Sequence, residues 1–141
     1  MTKTETKIAV VTGAASGIGK ATVITLLEQG FRVSALDIDT EGLEELAHSP
    51  SIEKYECDIY TTNVASRNEC HTTIEKIFEM NGRIDVLANV AGIARSEHMT
   101  KVSEESWNQM LGVNLSGVFW WGEAAVPQSG LNIYQPPSPE R

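Results

Sequence analysis

The segment "KIAVVTGAASGIGKA" at residues 7–21 decides the fold, because it joins a short strand-like run to a helix through a glycine-rich turn. "KIAVV" is rich in β-branched residues, and "GKATVITLLEQG" at 19–30 contains good helix formers. Ser16 is a candidate N-cap for this helix, and Gly30 is suited to end it. The segment therefore predicts a strand, a tight turn and a helix in direct succession.

Three further strand patterns follow along the chain. The second is "FRVSALD" at 31–37, and the third is "IEKYECDIY" at 52–60, whose ends are blurred. The fourth, "RIDVLANVAG" at 83–92, is typical of a buried strand that runs into a glycine turn. Each of these strands is separated from the next by a helical pattern.

The helical patterns have recognisable ends. A short helix starts near Thr40, and residues 66–69 form a capping box for a helix that Gly82 ends. A longer helix over residues 103–127 carries an apolar face. That face contains Trp107, Met110, Leu111, Asn114, Leu115 and Val118. The order βαβαβαβα predicts an α/β fold with a parallel sheet and helices on both of its faces.

Composition and charge exclude several classes of protein. The 141 residues are 41% hydrophobic and 21% charged, as in an ordinary soluble domain with one modest core. A formal net charge of −8 argues against nucleic acid or an anionic membrane as a partner. The polar N-terminus lacks the apolar run of a signal peptide, and no stretch approaches about 18 consecutive apolar residues. These features predict a cytoplasmic protein.

The cysteines and histidines indicate no metal site. Cys57 and Cys70 form no Cys-x-x-Cys motif and are interpreted as two reduced thiols. The three histidines, His48, His71 and His98, have no ligand-like spacing. We therefore expect neither a disulfide nor a bound metal.

The glycine turn at residues 12–19, "TGAASGIG", lies where a phosphate-binding turn must lie, between a strand and a helix. Glycine lacks a Cβ, so its backbone adopts unusual angles and lets a pyrophosphate approach closely. The helix N-terminus then supplies free N–H groups and a partial positive charge. The spacing is Gly-x-x-x-Gly-x-Gly, not the commoner Gly-x-Gly-x-x-Gly. Taken alone, the turn could also be a plain tight connection.

Asp37 favours the nucleotide interpretation. It ends the second strand, twenty-four positions after Gly13, which is close to the offset of about 20 residues at which a carboxylate meets an adenosine ribose 2′-hydroxyl. A carboxylate would repel a 2′-phosphate, and residues 14–16 offer no basic side chain to attract one. We therefore expect NAD as the cofactor in preference to NADP.

Four motifs together resemble the short-chain dehydrogenase/reductase family. They are "TGAASGIG" at 12–19, Asp37, "NVAG" at 89–92 and "NLSGVF" at 114–119. The resemblance covers residues 7 to about 128 and implies a Rossmann-type doubly wound parallel sheet, here truncated after about four strands. It divides the chain into an incomplete NAD(P)-binding domain at 1–128 and an irregular, Pro-rich tail at 129–141, expected to be disordered.

The resemblance also implies roles for individual residues. The pyrophosphate and nearby ribose would meet Gly13, Ser16, Gly17, Ile18 and Gly19, and the adenine ribose would lie between Asp37 and Ile38. Asn89, Ala91 and Gly92 would support the central strand and border the cofactor. Val90 departs from the family, which usually has a second Asn there, and we expect a modest local effect.

The residue that meets the adenine has two candidates. The family places an Asp-Val pair after the third strand. Asp58-Ile59 has the right chemistry but lies thirty-one residues before Asn89. Asn63 and Val64 lie closer and fit better relative to the following helix. Asn63 could accept a hydrogen bond from the adenine amino group, and Asp58 is the alternative.

The long helix carries the remaining candidates. Asn114 falls on its apolar face, where a buried amide needs partners. Either it is a satisfied structural Asn or, as the resemblance implies, it belongs to a catalytic proton relay. Trp120 and Trp121 cannot both face one core, and the helix resembles one that many family members use to pair subunits. The helix at 103–127 is therefore a candidate surface for homo- or hetero-oligomers.

The sequence lacks the family's reaction centre. Carbonyl chemistry in this family needs a Ser and a Tyr-x-x-x-Lys, in which the cation lowers the tyrosine pKa. No Tyr-x-x-x-Lys occurs in the 141 residues. The resemblance implies an NAD(P)-dependent oxidoreductase acting on carbonyl or alcohol groups, but we expect this chain to be inactive alone. The alternative is a non-catalytic nucleotide-binding or interaction module that pairs with a full-length relative.

Overall fold

A four-stranded parallel sheet forms the centre of the molecule. The computed structural model describes residues 5–130. The strands are β1 (Ile8–Thr12), β2 (Arg32–Asp37), β3 (Cys57–Thr61) and β4 (Val86–Ala88), and their order in the sheet is β3-β2-β1-β4. The helices are α1 (Gly17–Glu28), α2 (Thr40–Ala47), α3 (Arg67–Asn81), α4 (Glu104–Leu111) and α5 (Gly117–Ala125). A π-helical turn (Gly112–Ser116) joins α4 to α5.

Helices cover both faces of the sheet, as the alternation of strands and helices predicts. Side chains along β1 point alternately to the two faces, and all five residues are buried. Val10 packs in one core with residues of α3 and α5, including Ile74 and Trp121. Val11 packs in the other with residues of α1 and α2, including Leu27 and Leu43. The prediction of an α/β fold with a doubly wound parallel sheet is confirmed.

Two strands are shorter than their sequence patterns. Ile52, at the start of the third pattern, is buried in a turn ahead of β3. β4 has only three residues and is half-buried, whereas its pattern predicted a buried strand. Among residues 5–130, β4 pairs with β1 alone, so its other edge is not covered by a neighbouring strand.

The predicted orientation of the long helix is wrong. Its apolar stripe is largely exposed, with Trp107 at 53%, Leu115 at 64% and Val118 at 43%. The buried side is instead built mainly from small residues, because these let the helix approach its neighbours closely. A Cβ at Gly117, for example, would lie only 3.0 Å from the carbonyl oxygen of Val64. The residues buried along this side are Ser106, Gly117, Trp121, Ala124 and Ala125.

The two adjacent tryptophans face different environments, as the sequence predicts. Trp121, on α5, is fully buried in the core that contains residues of β1 and α3. Trp120 is half-buried, and the guanidinium of Arg67 lies 5.1 Å from the centre of its ring. Arg67 also forms an ion pair with Glu123, so this contact fastens α3 to α5 at the surface.

An acidic side chain anchors the start of β1. The carboxylate of Asp85 accepts a hydrogen bond of 2.8 Å from the backbone N–H of Ile8 and forms an ion pair with Arg83. The pKa of Asp85 lies below its usual 3.8, mainly because its carboxylate accepts a hydrogen bond from Arg83. The strand that carries the glycine turn is therefore fixed at its N-terminal end.

Asp85→Asn is expected to lower the free energy of unfolding by roughly 1 kcal/mol at neutral pH, because an exposed ion pair is lost. The folded-state pKa lies below the unfolded-state pKa, so the stabilisation is present above pH 3.8 and is lost as pH falls through the folded-state value. Urea unfolding from pH 7 to pH 3 checks this. The free energies of unfolding of the variant and the wild type should differ most at pH 7. The same difference at pH 3 would contradict the stabilising role of the Asp85 carboxylate.

Candidate cofactor-binding cleft

A cleft of about 540 Å³ lies at the carboxyl ends of the strands. This is the edge at which open α/β sheets bind ligands. Eleven of the twelve cofactor-contact residues predicted from the sequence line it. They are Gly13, Ser16, Gly17, Ile18, Gly19, Asp37, Ile38, Asn63, Val64, Ala91 and Gly92.

Asn89 is the exception. It follows β4 directly and is exposed, and it does not line the cleft. The next residue, Val90, lines the cleft in its place. The contact between Asn89 and the cofactor therefore stays a prediction.

The glycine turn needs glycine for two different reasons. Gly13 has φ +67°, and a Cβ there would lie 2.8 Å from the backbone of Ala91. At Gly19 a Cβ would overlap the carbonyl oxygen of Gly13. The backbone at Gly13 is thus packed against the segment after β4 on one side and against Gly19 in the first turn of α1 on the other. Free N–H groups at that helix end suit an anionic group.

Thr12 joins the glycine turn to the segment after β4. Its Oγ1 accepts hydrogen bonds from the backbone N–H groups of Val90 (3.0 Å) and Ala91 (3.1 Å). The residue is 1% exposed, so these bonds are protected from water. Sequence reasoning placed Thr12 within the glycine motif without giving it a role.

Asp37 lies at the end of β2 and faces the cleft. One carboxylate oxygen accepts from the N–H of Ala15 and the other from the N–H of Asp39, both at 3.0 Å. A carboxylate has about four acceptor positions, so two remain for a ligand. Among residues 5–130, Asp37 is the only charged residue that lines the cleft. The site therefore favours neutral donor groups, such as hydroxyls, at this point.

Of the two alternatives for the base contact, only Asn63 lies at the cleft. The backbone N–H of Asn63 donates to Glu69 at 2.8 Å, and its Oδ1 accepts from the N–H of Ala65 at 3.0 Å. Asp58 instead lies on β3 opposite Ser34 and forms a 3.0 Å ion pair with Arg32. It does not line the cleft.

The capping box at the start of α3 forms only in part. Ser66 Oγ accepts from the N–H of Glu69, as predicted. The Glu69 carboxylate, however, reaches past Ser66 to the N–H of Asn63. Glu69 thus holds the segment that follows β3 in place along the floor of the cleft.

Asn114 is exposed, which corrects the prediction that it is buried on an apolar face. Both atoms of its amide are used within the fold. Oδ1 accepts from the N–H of Ile93 and Nδ2 donates to the carbonyl of Ile93, each at 2.8 Å. The side chain therefore fixes the segment after β4 against the π-helical turn, while its part in a proton relay stays a prediction.

Several cleft residues were missed by sequence reasoning. Most come from the segments after β3 and β4 and from the end of α4, which reaches over the cleft. Their positions depend on long-range packing, and residues 108–109 carry no local motif that could have indicated them. The missed residues are Thr62, Ala65, Val90, Ile93, Asn108, Gln109, Gly112 and Val113.

The two cysteines lie away from the cleft. Burial raises the pKa of the Cys57 thiol to about 11 and that of Cys70 to about 12, so both are protonated at neutral pH. Neither lines the cleft. Residues 5–130 contain no group of three or more His, Cys, Asp or Glu side chains that could hold a metal ion. No helix in that range is long and apolar enough to cross a membrane.

Known proteins with similar sequences cover most of this chain but only part of their own length. The 3-oxoacyl-(acyl-carrier-protein) reductase FabG of Thermotoga maritima is 41% identical over 123 residues, which are 87% of this chain and 50% of the relative. The chain thus spans about half the length of the curated relatives it matches.

Solved structures agree with the fold. An alcohol dehydrogenase from Thermococcus sibiricus, complexed with 5-hydroxy-NADP, superposes with a TM-score of 0.82 at 28% identity, covering 88% of this chain and 53% of that one. A metagenomic short-chain oxidoreductase in complex with NADP gives a TM-score of 0.81 at 26% identity, covering 86% and 56%.

The family model described as short chain dehydrogenase matches residues 7–131, which include the glycine turn, all four strands and the helix that ends with α5. The match begins one residue before β1 and takes in every segment that contributes to the cleft. The chain therefore belongs to the short-chain dehydrogenase family.

Proposed function

We propose that this chain supplies the dinucleotide-binding part of an NAD-dependent oxidoreductase that acts on carbonyl or alcohol groups. The observation that carries the proposal is the position of Asp37. Its carboxylate shares one cleft with the glycine turn, and about half of its acceptor capacity remains for a ligand. Its bond from Ala15 N–H holds the glycine turn, and its remaining acceptor positions are available to a ligand in the cleft.

The ends of three strands would each bind a different part of the dinucleotide. The turn after β1 and the N-terminus of α1 would hold the pyrophosphate, because their free N–H groups suit an anion. Asp37, at the end of β2, would accept hydrogen bonds from the adenosine ribose hydroxyls. Asn63 and Val64, after β3, would contact the base. When bound, the nicotinamide ring supplies the hydride chemistry.

The charge of the cleft favours NAD over NADP. Within residues 5–130, Asp37 is its only charged lining residue, and no Lys or Arg lines it to balance a 2′-phosphate. Two structurally similar proteins are in complex with NADP or a derivative of it. The carboxylate of Asp37 supports NAD for this chain, because it would repel the additional phosphate of NADP.

Fluorescence titration with NADH tests the proposal. We expect saturable binding with a dissociation constant below 1 mM, on the order of a weak but specific complex. The absence of saturable binding at millimolar NADH would overturn it. Titration with NADPH in parallel tests the preference, which the proposal expects to be in favour of NADH.

We expect no ketone or aldehyde reduction by the 141-residue chain. No Tyr-x-x-x-Lys is present, and Tyr60 lies on β3 away from the cleft with its hydroxyl directed to Met80. Burial and the charge of Asp58 raise the pKa of Tyr60, so it is poorly suited to donate or accept a proton at neutral pH. Loss of NADH absorbance in the presence of a carbonyl panel measures turnover. Turnover that Gly19→Ala removes would contradict this expectation.

A second candidate function is a non-catalytic interaction module. Exposed apolar side chains along α4, the π-helical turn and α5 favour it, and they include Trp107, Leu115 and Phe119. The partner would be a second copy or a full-length relative, paired through the helix at 103–127. Size-exclusion chromatography and cross-linking with that relative test this candidate, and a strictly monomeric species in both mixtures would count against it.

A further inference from the structure

The guanidinium of Arg95 has a different kind of partner from the other arginines of residues 5–130. Its Nη2 donates a hydrogen bond to the neutral Oε1 of Gln109, and no carboxylate in the described part of the chain forms an ion pair with it. The nearest carboxylate along the chain, that of Glu97, accepts from Ser106 Oγ at 2.7 Å instead. The arginines that do pair with a carboxylate are Arg32, Arg67 and Arg83. Arg95 therefore keeps an uncompensated positive charge in a chain whose formal net charge is −8.

Arg95 lies beside the end of the cleft that is farther from Asp37. In the sheet, β1 lies between β2 and β4, so the segments that follow β2 and β4 flank the glycine turn on opposite sides. Gln109, which holds the guanidinium, lines the cleft, and so does Ile93, two residues before Arg95. The side-chain amide of Asn114 forms two hydrogen bonds of 2.8 Å with the backbone of Ile93. The start of the segment that carries Arg95 is therefore fixed at the cleft.

The strand order also gives a direction to the dinucleotide of the proposed function. With its adenosine ribose at Asp37 and its pyrophosphate at the glycine turn, its nicotinamide half would extend towards the end of β4. A carbonyl or alcohol compound that exchanges a hydride with this ring would then lie on the side of the cleft where Gln109 holds Arg95.

We propose that Arg95 selects substrates that carry a carboxylate, so that the carbonyl or alcohol compound is an oxo acid or a hydroxy acid. This inference rests on the proposed function and names the substrate class of the same cleft. A guanidinium has five N–H donors in a planar fork that matches a carboxylate, and the bond to Gln109 occupies one of them. A carboxylate is favoured over a phosphate ester, because a net charge of −8 repels a dianion more strongly than a monoanion.

Two ligands that differ in one group test the inference on the unmodified chain. They are 3-hydroxybutyrate and 1,3-butanediol, in which a hydroxymethyl group replaces the carboxylate. Each is titrated into the full isotope-labelled chain saturated with NAD, and the backbone N–H resonances of Ile93 and Gln109 are followed by NMR. Arg95→Gln then removes the guanidinium. The matched control is Lys101→Gln, which removes the same charge from a turn that does not line the cleft.

The wild type is expected to bind 3-hydroxybutyrate with a dissociation constant on the order of a few millimolar, and 1,3-butanediol at least about tenfold more weakly. Arg95→Gln should weaken the binding of 3-hydroxybutyrate about tenfold, whereas Lys101→Gln should bind it within about threefold of the wild type.

Equal binding of the two ligands by the wild type, or binding of neither by a chain that does bind NAD, would overturn the inference and leave the proposed function standing. Equal weakening by Arg95→Gln and Lys101→Gln would also overturn it, because general charge alone would then explain the binding. Failure of the wild type to bind NAD would overturn the proposed function, and this inference with it.

Discussion

Gly19→Ala is expected to abolish nucleotide binding and to lower the free energy of unfolding by about 3 kcal/mol or more. The added Cβ would overlap the carbonyl oxygen of Gly13, and it would lie 3.1 Å from Cα of Ala14. All of these atoms belong to the backbone, so no side-chain rotation can relieve the overlap. The turn would have to open, and the N-terminus of α1 would move away from the cleft.

Two other glycines serve as matched controls for this substitution. Gly122 lies within α5, and an added Cβ there would meet no atom within 4 Å, so Gly122→Ala should stabilise by up to about 1 kcal/mol through helix propensity. Gly17 has φ +51° but open space around it. Gly17→Ala should therefore cost only about 1–2 kcal/mol of backbone strain.

Urea unfolding and NADH titration of the three variants separate these effects. Gly19→Ala should be the least stable and should show no saturable binding. A Gly19→Ala variant that unfolds within about 1 kcal/mol of the wild type and still binds NADH would show that the backbone contact does not shape the cleft.

Asp37→Asn is expected to weaken NAD binding by about tenfold to a hundredfold and to shift the preference towards NADP. The carboxylate would accept charge-assisted hydrogen bonds from the ribose hydroxyls, and these are stronger than neutral ones. The amide also removes the negative charge that repels a 2′-phosphate. The ratio of the two dissociation constants is the decisive readout, since any general loss of stability affects both cofactors alike.

Asp39→Asn is the control for that experiment. Asp39 is a neighbouring carboxylate, but its side chain caps α2 by accepting from the N–H of Gly42. It does not line the cleft. Asp39→Asn should therefore leave the ratio of NAD to NADP affinity unchanged. An Asp37→Asn variant that also leaves the ratio unchanged would remove Asp37 from the cofactor site.

The first half of the fold was predictable because its signals are local. A β-branched run, a glycine turn and a helix follow one another within residues 7–30, and Asp37 ends the next strand. Gly30 (φ +87°) and Gly82 (φ +72°) end their helices as predicted, since only glycine adopts these angles readily. Local backbone chemistry alone is sufficient for such features.

The long helix was harder to predict, because hydrophobicity identified the wrong side. Gly117 and Ala124 contribute little apolar surface, yet their small size lets α5 pack closely against its neighbours. Trp107 and Leu115 dominate the apolar pattern and are exposed. Asn114 was expected to be buried but is exposed, and its side-chain amide accepts one hydrogen bond from Ile93 and donates one to it.

The choice between Asn63 and Asp58 shows how far spacing alone can be used. Counting from Asn89 favoured Asn63 over Asp58, and the structure places only Asn63 at the cleft. The reason lies in a tertiary contact, since Glu69 reaches back from α3 to hold the N–H of Asn63. Neither that contact nor the ion pair of Asp58 with Arg32 leaves a local pattern in the sequence.

Under the proposed function, this chain binds the adenosine half of the dinucleotide through the ends of β1, β2 and β3. Calorimetric titration of the chain with NAD, ADP-ribose and nicotinamide mononucleotide tests it most directly. ADP-ribose should bind within about tenfold of NAD, while nicotinamide mononucleotide should show no saturable binding. Binding of nicotinamide mononucleotide as tight as that of NAD, with none for ADP-ribose, would contradict the claim.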